Sequence, residues 1–196
     1  MSGLREQKKR QTKSDLATAA VSLLVTEGDE GATVAAIASG AGVSTRTFHN
    51  YFAAREDAFL FFIEEAIADW ETQMRAAPAD LTPFEVLRGI IVDMYGKPRG
   101  DLASVPNLAT VAEHIMAGLG PDAGKRARCV FEGLRGAIVE RSGGGLSYFR
   151  AQALIHLCMS VSGVVLEAAR DESLADGRPV PELLDEAFDF IAGGVA

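Results

Sequence analysis

The sequence predicts an all-α protein of about nine helices, and three observations carry that reading. Apolar residues recur at i, i+3 and i+4 through most of the 196 residues. The breaks between these stretches fall at clusters of Gly and Pro. No segment keeps the strict alternation of a half-buried strand. A chain of this length can bury a substantial core, as one domain or as two small ones.

Taken in order, a first helix is predicted from about Lys9 or Thr12 to Thr26, with Leu16, Ala19, Ala20, Leu23 and Leu24 on its apolar side and Gly28 as its terminator. Thr33 can cap a second helix whose apolar positions are Val34, Ile37 and Ala38. Gly42 sits where a left-handed backbone would reverse the chain, and Val43 packs inward. Ser44 supplies the next cap, for a short helix with Thr45, Arg46, Thr47, His49 and Asn50 as polar members and Phe48, Tyr51 and Phe52 as anchors. A fourth helix begins near Arg55 or Glu56 and runs to about Ala76, through Phe59, Phe62, Ile63, Ala66, Ile67, Trp70 and Met74, until Pro78 stops it. Further helices are predicted at Pro83 to Tyr95, Val105 to Leu119, Ala123 to Arg141, Ser147 to Asp171 and Val180 to Ala192. Breakers separate them at residues 96–100, 120–121, 143–145 and 177–181.

Residues 33–57 are the most informative stretch. Two short helices joined by a glycine turn, the second with a polar and partly basic face, are what a helix-turn-helix places in the major groove. These residues resemble the tetracycline-repressor (TetR) family of bacterial regulators. Thr33, Val34, Ile37, Ala38, Ala41, Gly42, Val43, Ser44, Thr47, Phe48, Tyr51, Phe52, Arg55, Glu56 and Asp57 stand at that family's spacing. The chain departs from the pattern at His49, where the family has an aromatic residue, at Ala54, which replaces a small polar cap, and at Arg55, which replaces Lys. The resemblance covers roughly residues 12 to 60. It implies a DNA-binding head over residues 1–55 and an effector-binding and dimerisation domain over 56–196. The DNA-contacting residues expected from the motif and its surroundings are Lys9, Thr33, Ser44, Thr45, Arg46, Thr47, His49, Asn50, Tyr51 and Arg55. Among them Arg46 has the fork that reads guanine, Thr47 and Tyr51 are expected on phosphates, and Arg55 is expected to meet another phosphate.

The net charge of −8 looks wrong for DNA binding until it is divided. Residues 1–55 carry +2 and the remainder −10. Basic residues gathered at one end engage phosphates, while an acidic body repels them and favours one docking orientation. Arg5, Lys8, Lys9, Arg10 and Lys13 make a basic N-terminal arm. No run approaches the eighteen or so apolar residues of a membrane span, and no signal peptide is evident, so a cytoplasmic protein with no membrane partner is expected. Cys129 and Cys158 are far apart in sequence and belong to no Cys/His cluster, which points to reduced, buried thiols rather than a metal site or a disulfide.

Enzyme motifs do not assemble. Gly143-Gly144-Gly145 lacks the Lys-Ser/Thr of a phosphate loop, Ser160 with His156 has no strand-turn elbow, and Glu113 precedes the only local His, His114, so no zinc pattern exists. Neither catalysis nor a cofactor is expected. Between the head and the last helices lies a mix of apolar and polar residues suited to an effector pocket, which the family resemblance also implies. Its expected lining includes Trp70, Met94, Met116, Phe131 and Phe149, with His114, Arg135, Gln152 and His156 as orienting polar groups. The last two long helices each carry an apolar stripe. Leu154, Cys158, Val161 and Val165 on one, and Leu184 and Phe188 on the other, either bury against the subunit's own core or, as the family resemblance implies and as is expected here, form a dimer interface through which two-fold symmetry would match a palindromic operator.

The sequence therefore predicts a homodimeric, ligand-responsive transcriptional repressor. Its partners would be double-stranded operator DNA and a small hydrophobic effector whose identity the residues do not give. The alternative is a helical small-molecule carrier or sensor without effector-coupled DNA release.

Overall fold

The computed structural model describes residues 2–98, 100–118, 126 and 129–193. Among the described residues the fold is all-helical, with ten helices and no strand. They are α1 (Ser2–Gly31), α2 (Val34–Gly40), α3 (Thr45–His49), α4 (Arg55–Ala76), α5 (Pro83–Gly96), α6 (Val105–Gly118), α7 (Glu132–Arg141), α8 (Tyr148–Ala168), α9 (Glu172–Ala175) and α10 (Val180–Gly193). The helix not foreseen is α9, a single turn capped by Asp171, whose carboxylate accepts from Ser173 N and Oγ. Of the helix expected from Ala123, residues 123–125, 127 and 128 lie outside the described residues, as do Leu119 and the side chain of Met116.

The chain forms two compact units. Unit one comprises Met1–Ile67, Arg99–Ala103 and Asn107–Val130; unit two comprises Ala68–Pro98, Ser104–Pro106 and Phe131–Ala196. The first unit thus extends past residue 55, because the first half of α4 and most of α6 share the head's core. Leu16, Ala20 and Leu24 of α1, Ile37 of α2, Phe48 of α3, Phe59 and Leu60 of α4, and Val111 and Ile115 of α6 form one buried cluster. Helices α1 and α2, and α2 and α3, pack directly on each other.

Local chemistry sets the ends of these helices. The regular helix of α1 breaks at Gly28, whose φ of 75° is accessible to glycine at little cost. Towards the N-terminus α1 runs further than expected, with residues 3 to 10 helical and exposed, so the basic arm is a helical extension.

In unit two, α8 packs against α5, α7, α9 and α10. Thr82 and Glu85 form a reciprocal capping box at the start of α5, with Pro83 at the first position. Hydrogen bonds from Thr82 N and Oγ1 hold the Glu85 carboxyl below the ordinary carboxylate range. Arg141 of α7 donates to Met74 O at 3.0 Å, Ala77 O at 3.1 Å, Leu81 O at 3.0 Å and Pro78 O, satisfying carbonyls at and beyond the end of α4. Arg88 of α5 pairs with Asp185 and Asp189 of α10, both at 2.7 Å.

The apolar stripe of α8 is turned inward. Ala151, Ile155, Cys158, Val161 and Val165 are buried within the single chain, as are Leu184 and Phe188 of α10, and Leu154 is half-buried. The expectation that Cys158, Val161, Val165, Leu184 and Phe188 form the dimer face is corrected accordingly: periodicity marks the side that is covered, and here the chain itself covers it. By length and mean hydropathy α8 is also long and apolar enough to cross a membrane, contrary to the sequence-level expectation that no segment is. Its packing against four helices is that of a core helix.

Candidate nucleic-acid interface

Each half of the helix-turn-helix is held by its own residues. Thr33 Oγ1 accepts from Ala36 N at 3.2 Å and caps α2. At the turn, Gly42 has φ 68°, and Val43 N donates to Ala38 O at 2.9 Å, using up a carbonyl at the end of α2. Ser44 Oγ accepts from Thr47 N at 3.1 Å and caps α3, while the two hydroxyls of Ser44 and Thr47 lie 2.9 Å apart. Phe48, wholly buried, then anchors α3; burying a Phe side chain stabilises by roughly 2–3 kcal/mol. Its ring meets those of His49 and Phe52, with centroids 5.4 and 5.7 Å away.

With one side anchored, the other side faces solvent. Thr45, Arg46, His49 and Asn50 are exposed, as are Thr33 and Ser44, and Thr47 and Tyr51 are half-buried. The side chain of Arg46 makes no hydrogen bond or ion pair among the described residues, so its guanidinium is unengaged. Lys9 is exposed on α1, one turn before Lys13. Lys13 is placed by aromatic faces, its Nζ 3.9 Å from the Phe61 ring centroid and 5.4 Å from that of Phe52. Spacing of four residues puts Arg5, Lys9 and Lys13 on one side of α1, the side on which Lys13 meets the chain that follows α3.

Arg55 departs from expectation. Its Nη1 donates to Asp29 O at 2.7 Å and Ala32 O at 3.4 Å, its Nη2 lies 2.8 Å from Asp29 Oδ1, and its Nε donates to Glu56 at 2.9 Å. Hydrogen bonding to Asp29, ahead of the opposing effect of burial, raises the guanidinium pKa further. A cation so occupied is a clamp between the α1–α2 turn and the start of α4, its fork taken up by protein partners rather than left open for the expected phosphate. Sequence reading overlooked the partner, Asp29, because 26 residues separate the pair. It also left α4 without a cap at Ala54. Asp57 provides one from the other end of the box, accepting from Ala54 N at 3.2 Å, a pattern legible as an acidic residue three positions on.

The residues expected around an effector divide between the units. His114 belongs to unit one, where its Nδ1 lies 2.9 Å from Thr110 O and its Nε2 3.9 Å from Asp29 Oδ1. Trp70 and Met94 are buried and Phe131 half-buried in unit two. Arg135, Gln152 and His156 come together: Arg135 Nη1 donates to Gln152 Oε1 at 2.5 Å, and Gln152 Nε2 lies 2.7 Å from His156 Nε2. Phe149, by contrast, is 81 % exposed and lines nothing in the single chain, which corrects its assignment. Cys158 is buried as expected, and burial pushes its thiol up to about 11, but Cys129 is exposed.

Residues 16–60 match the family model described as bacterial regulatory proteins, tetR family. Over these residues the chain carries the DNA-binding domain of the TetR family. It is 32 % identical over 104 residues to the HTH-type transcriptional regulator TcmR of Streptomyces glaucescens, a match that takes in 53 % of this chain and 46 % of TcmR, so about half of that relative's length is spanned. Among solved structures, this chain resembles the fatty acid degradation regulator FadR of Bacillus halodurans, with a TM-score of 0.65 at 19 % identity over 93 % of this chain and 98 % of the other. It also resembles FadR of Bacillus subtilis in complex with stearoyl-CoA, with a TM-score of 0.65 at 18 % identity and the same coverage of both chains. A third likeness is to FadR of Thermus thermophilus in complex with lauroyl-CoA, with a TM-score of 0.56 at 24 % identity over 94 % of this chain and 95 % of that one. At these identities the likeness is one of fold.

Proposed function

We propose that this chain is a TetR-family regulator, a homodimeric transcriptional repressor of the bacterial cytoplasm that binds a palindromic operator and releases it when a small hydrophobic effector enters unit two. The observation that carries the reading is the solvent-facing polar side of α3, with an unengaged Arg46, fixed by Phe48 beneath and by the caps at Thr33 and Ser44. In this reading Arg46 reads a base edge, while Thr33, Ser44, Thr45, Thr47, His49, Asn50, Tyr51 and Lys9 hold phosphates or neighbouring bases.

Dimerisation is assigned to the apolar residues of the last two long helices that the chain leaves uncovered, Leu157 and Val164 of α8 and Phe190 of α10, each about half exposed or more. The similarity to FadR proteins crystallised with stearoyl-CoA and lauroyl-CoA supports an acyl chain as the hydrophobic part of the effector. Release is a population shift, in which the effector must bind the DNA-incompetent arrangement better than the competent one. Helices α4 and α6 are the levers, since each carries residues of both units. Within unit one, α6 places Val111 and Ile115 in the core of the head and His114 beside Asp29, the residue that holds Arg55 at the start of α4.

The test is a gel-shift series on operator variants with lauroyl-CoA as probe. Arg46→Ala should cost about 1–3 kcal/mol and relax one operator position; equal weakening on every sequence would reassign Arg46 to the phosphate backbone. Lauroyl-CoA should alter the emission of Trp70 and weaken operator binding by a coupling of about 1–3 kcal/mol, with DNA weakening the probe equally. Tight probe binding that leaves operator affinity unchanged would favour a carrier instead.

A further inference from the structure

Among the described residues, partly buried arginines are engaged either by carboxylates or by several carbonyls. Arg55 meets Asp29 and Glu56, Arg88 meets Asp185 and Asp189, Arg178 meets Glu186, and Arg141 meets four carbonyls. Arg135 of α7 is the exception among these, with a single neutral partner for its guanidinium. It is half-buried, yet its protein partner is the amide oxygen of Gln152, and no carboxylate pairs with it. Glu132, one turn earlier, is exposed and makes no ion pair with it, and Glu140 is committed to Arg75.

The pattern of use within the guanidinium carries the argument. Nη1 is taken by Gln152, while Nε is shielded from solvent and has no hydrogen-bond partner, and Nη2 has none either. The unused pair, Nε–H and the adjacent Nη2–H, is the edge of the fork that receives two oxygens of a carboxylate or phosphate side by side. Because Gln152 Oε1 accepts from Arg135, its amide nitrogen must be the donor towards His156 Nε2, which fixes the amide and thereby holds the guanidinium in plane. A buried donor without a partner and a charge without a counter-charge are both costly, and a bound oxyanion removes both costs at once.

We propose that Arg135, positioned by Gln152 and His156, is an anchor for an oxyanion, so that the ligand of unit two is an amphipathic anion whose charged group is a carboxylate or a phosphate. This rests on the reading of unit two as the effector-binding body and adds the chemical class of the polar end.

The experiment measures binding of laurate, lauroyl-CoA and uncharged dodecanol to the native chain, to Arg135→Met and to Arg135→Lys, with operator release followed in parallel. The Met variant loses one hydrogen bond, to Gln152, and one unpaired charge, so its apo melting midpoint should equal or exceed the native value. The native chain should bind at least one charged probe about 10- to 100-fold more tightly than dodecanol, the range a charge-assisted pair supplies. Arg135→Met should erase that preference while dodecanol affinity is unchanged, and Arg135→Lys should keep part of it. Selectivity for laurate over lauroyl-CoA would name the carboxylate as the anchored group, and the reverse the phosphates. A native chain that shows no preference for a charged probe, or that binds none of the three, overturns the anchor, as does an Arg135→Met variant that keeps the preference. Charged probes that bind through Arg135 without releasing operator leave the anchor standing and remove the effector reading. Release by charged probes in native and Met variants alike does the opposite.

Discussion

Arg55→Ala separates a structural cation from a DNA-binding one. In the folded head this side chain, 26 % exposed, donates to Asp29 through both its carboxylate and its carbonyl, to the Ala32 carbonyl and to Glu56. A hydrogen bond between charged partners contributes about 1.5–3 kcal/mol when shielded, and partial exposure discounts it towards the 0–1 kcal/mol of a surface pair. Two carbonyls also lose a partner, although water can replace it at this exposure. The expected net loss is therefore about 1–2 kcal/mol, which for a chain of this size lowers the melting midpoint by roughly 3–6 °C. The assay pairs thermal denaturation with operator binding across a salt series. If Arg55 neutralised a phosphate, its removal would reduce the slope of log affinity against log salt by about one unit. The geometry requires the slope to stay the same while the midpoint falls. An unchanged midpoint with a slope shallower by one unit would refute the clamp and return Arg55 to the DNA.

Two other outcomes follow from burial. Val164→Glu should split the proposed dimer, read by analytical ultracentrifugation, with the fold of the subunit intact, because Val164 is 61 % exposed in the single chain. Val161→Glu, at 5 % exposure, places an unpaired charge in the subunit's own core and should cost on the order of 4 kcal/mol of its stability; a well-folded monomer from this variant would show that the stripe was an interface after all. Towards a disulfide reagent at pH 8, exposed Cys129 should react at once, whereas Cys158, buried and with its thiol raised to about 11, should react on unfolding. Two fast thiols in the folded chain would contradict the packing of α8.

The sequence by itself determined whatever depends on a few consecutive residues. Thr33 and Ser44 are caps because a hydroxyl reaches only the amides two or three positions on, and Gly42 and Gly28 mark reversals because the left-handed backbone excludes most other residues. The same short range made the outward residues of α3 legible once Phe48 was recognised as its anchor. Tertiary structure decided what depends on partners brought from afar. Periodicity identified the stripe through Cys158, Val161 and Val165 as an apolar face but could not say that the subunit's own helices cover it, leaving Leu157 and Val164 outside. Nor could residue type distinguish Arg55, closed by Asp29, from Arg135, whose Nε is left without a partner. Both are half-buried helical arginines, and the partners each one faces are set by the packing of segments far apart in the chain. Capping and turn formation are local free-energy differences, whereas neutralising a buried charge requires long-range pairing that no local pattern encodes.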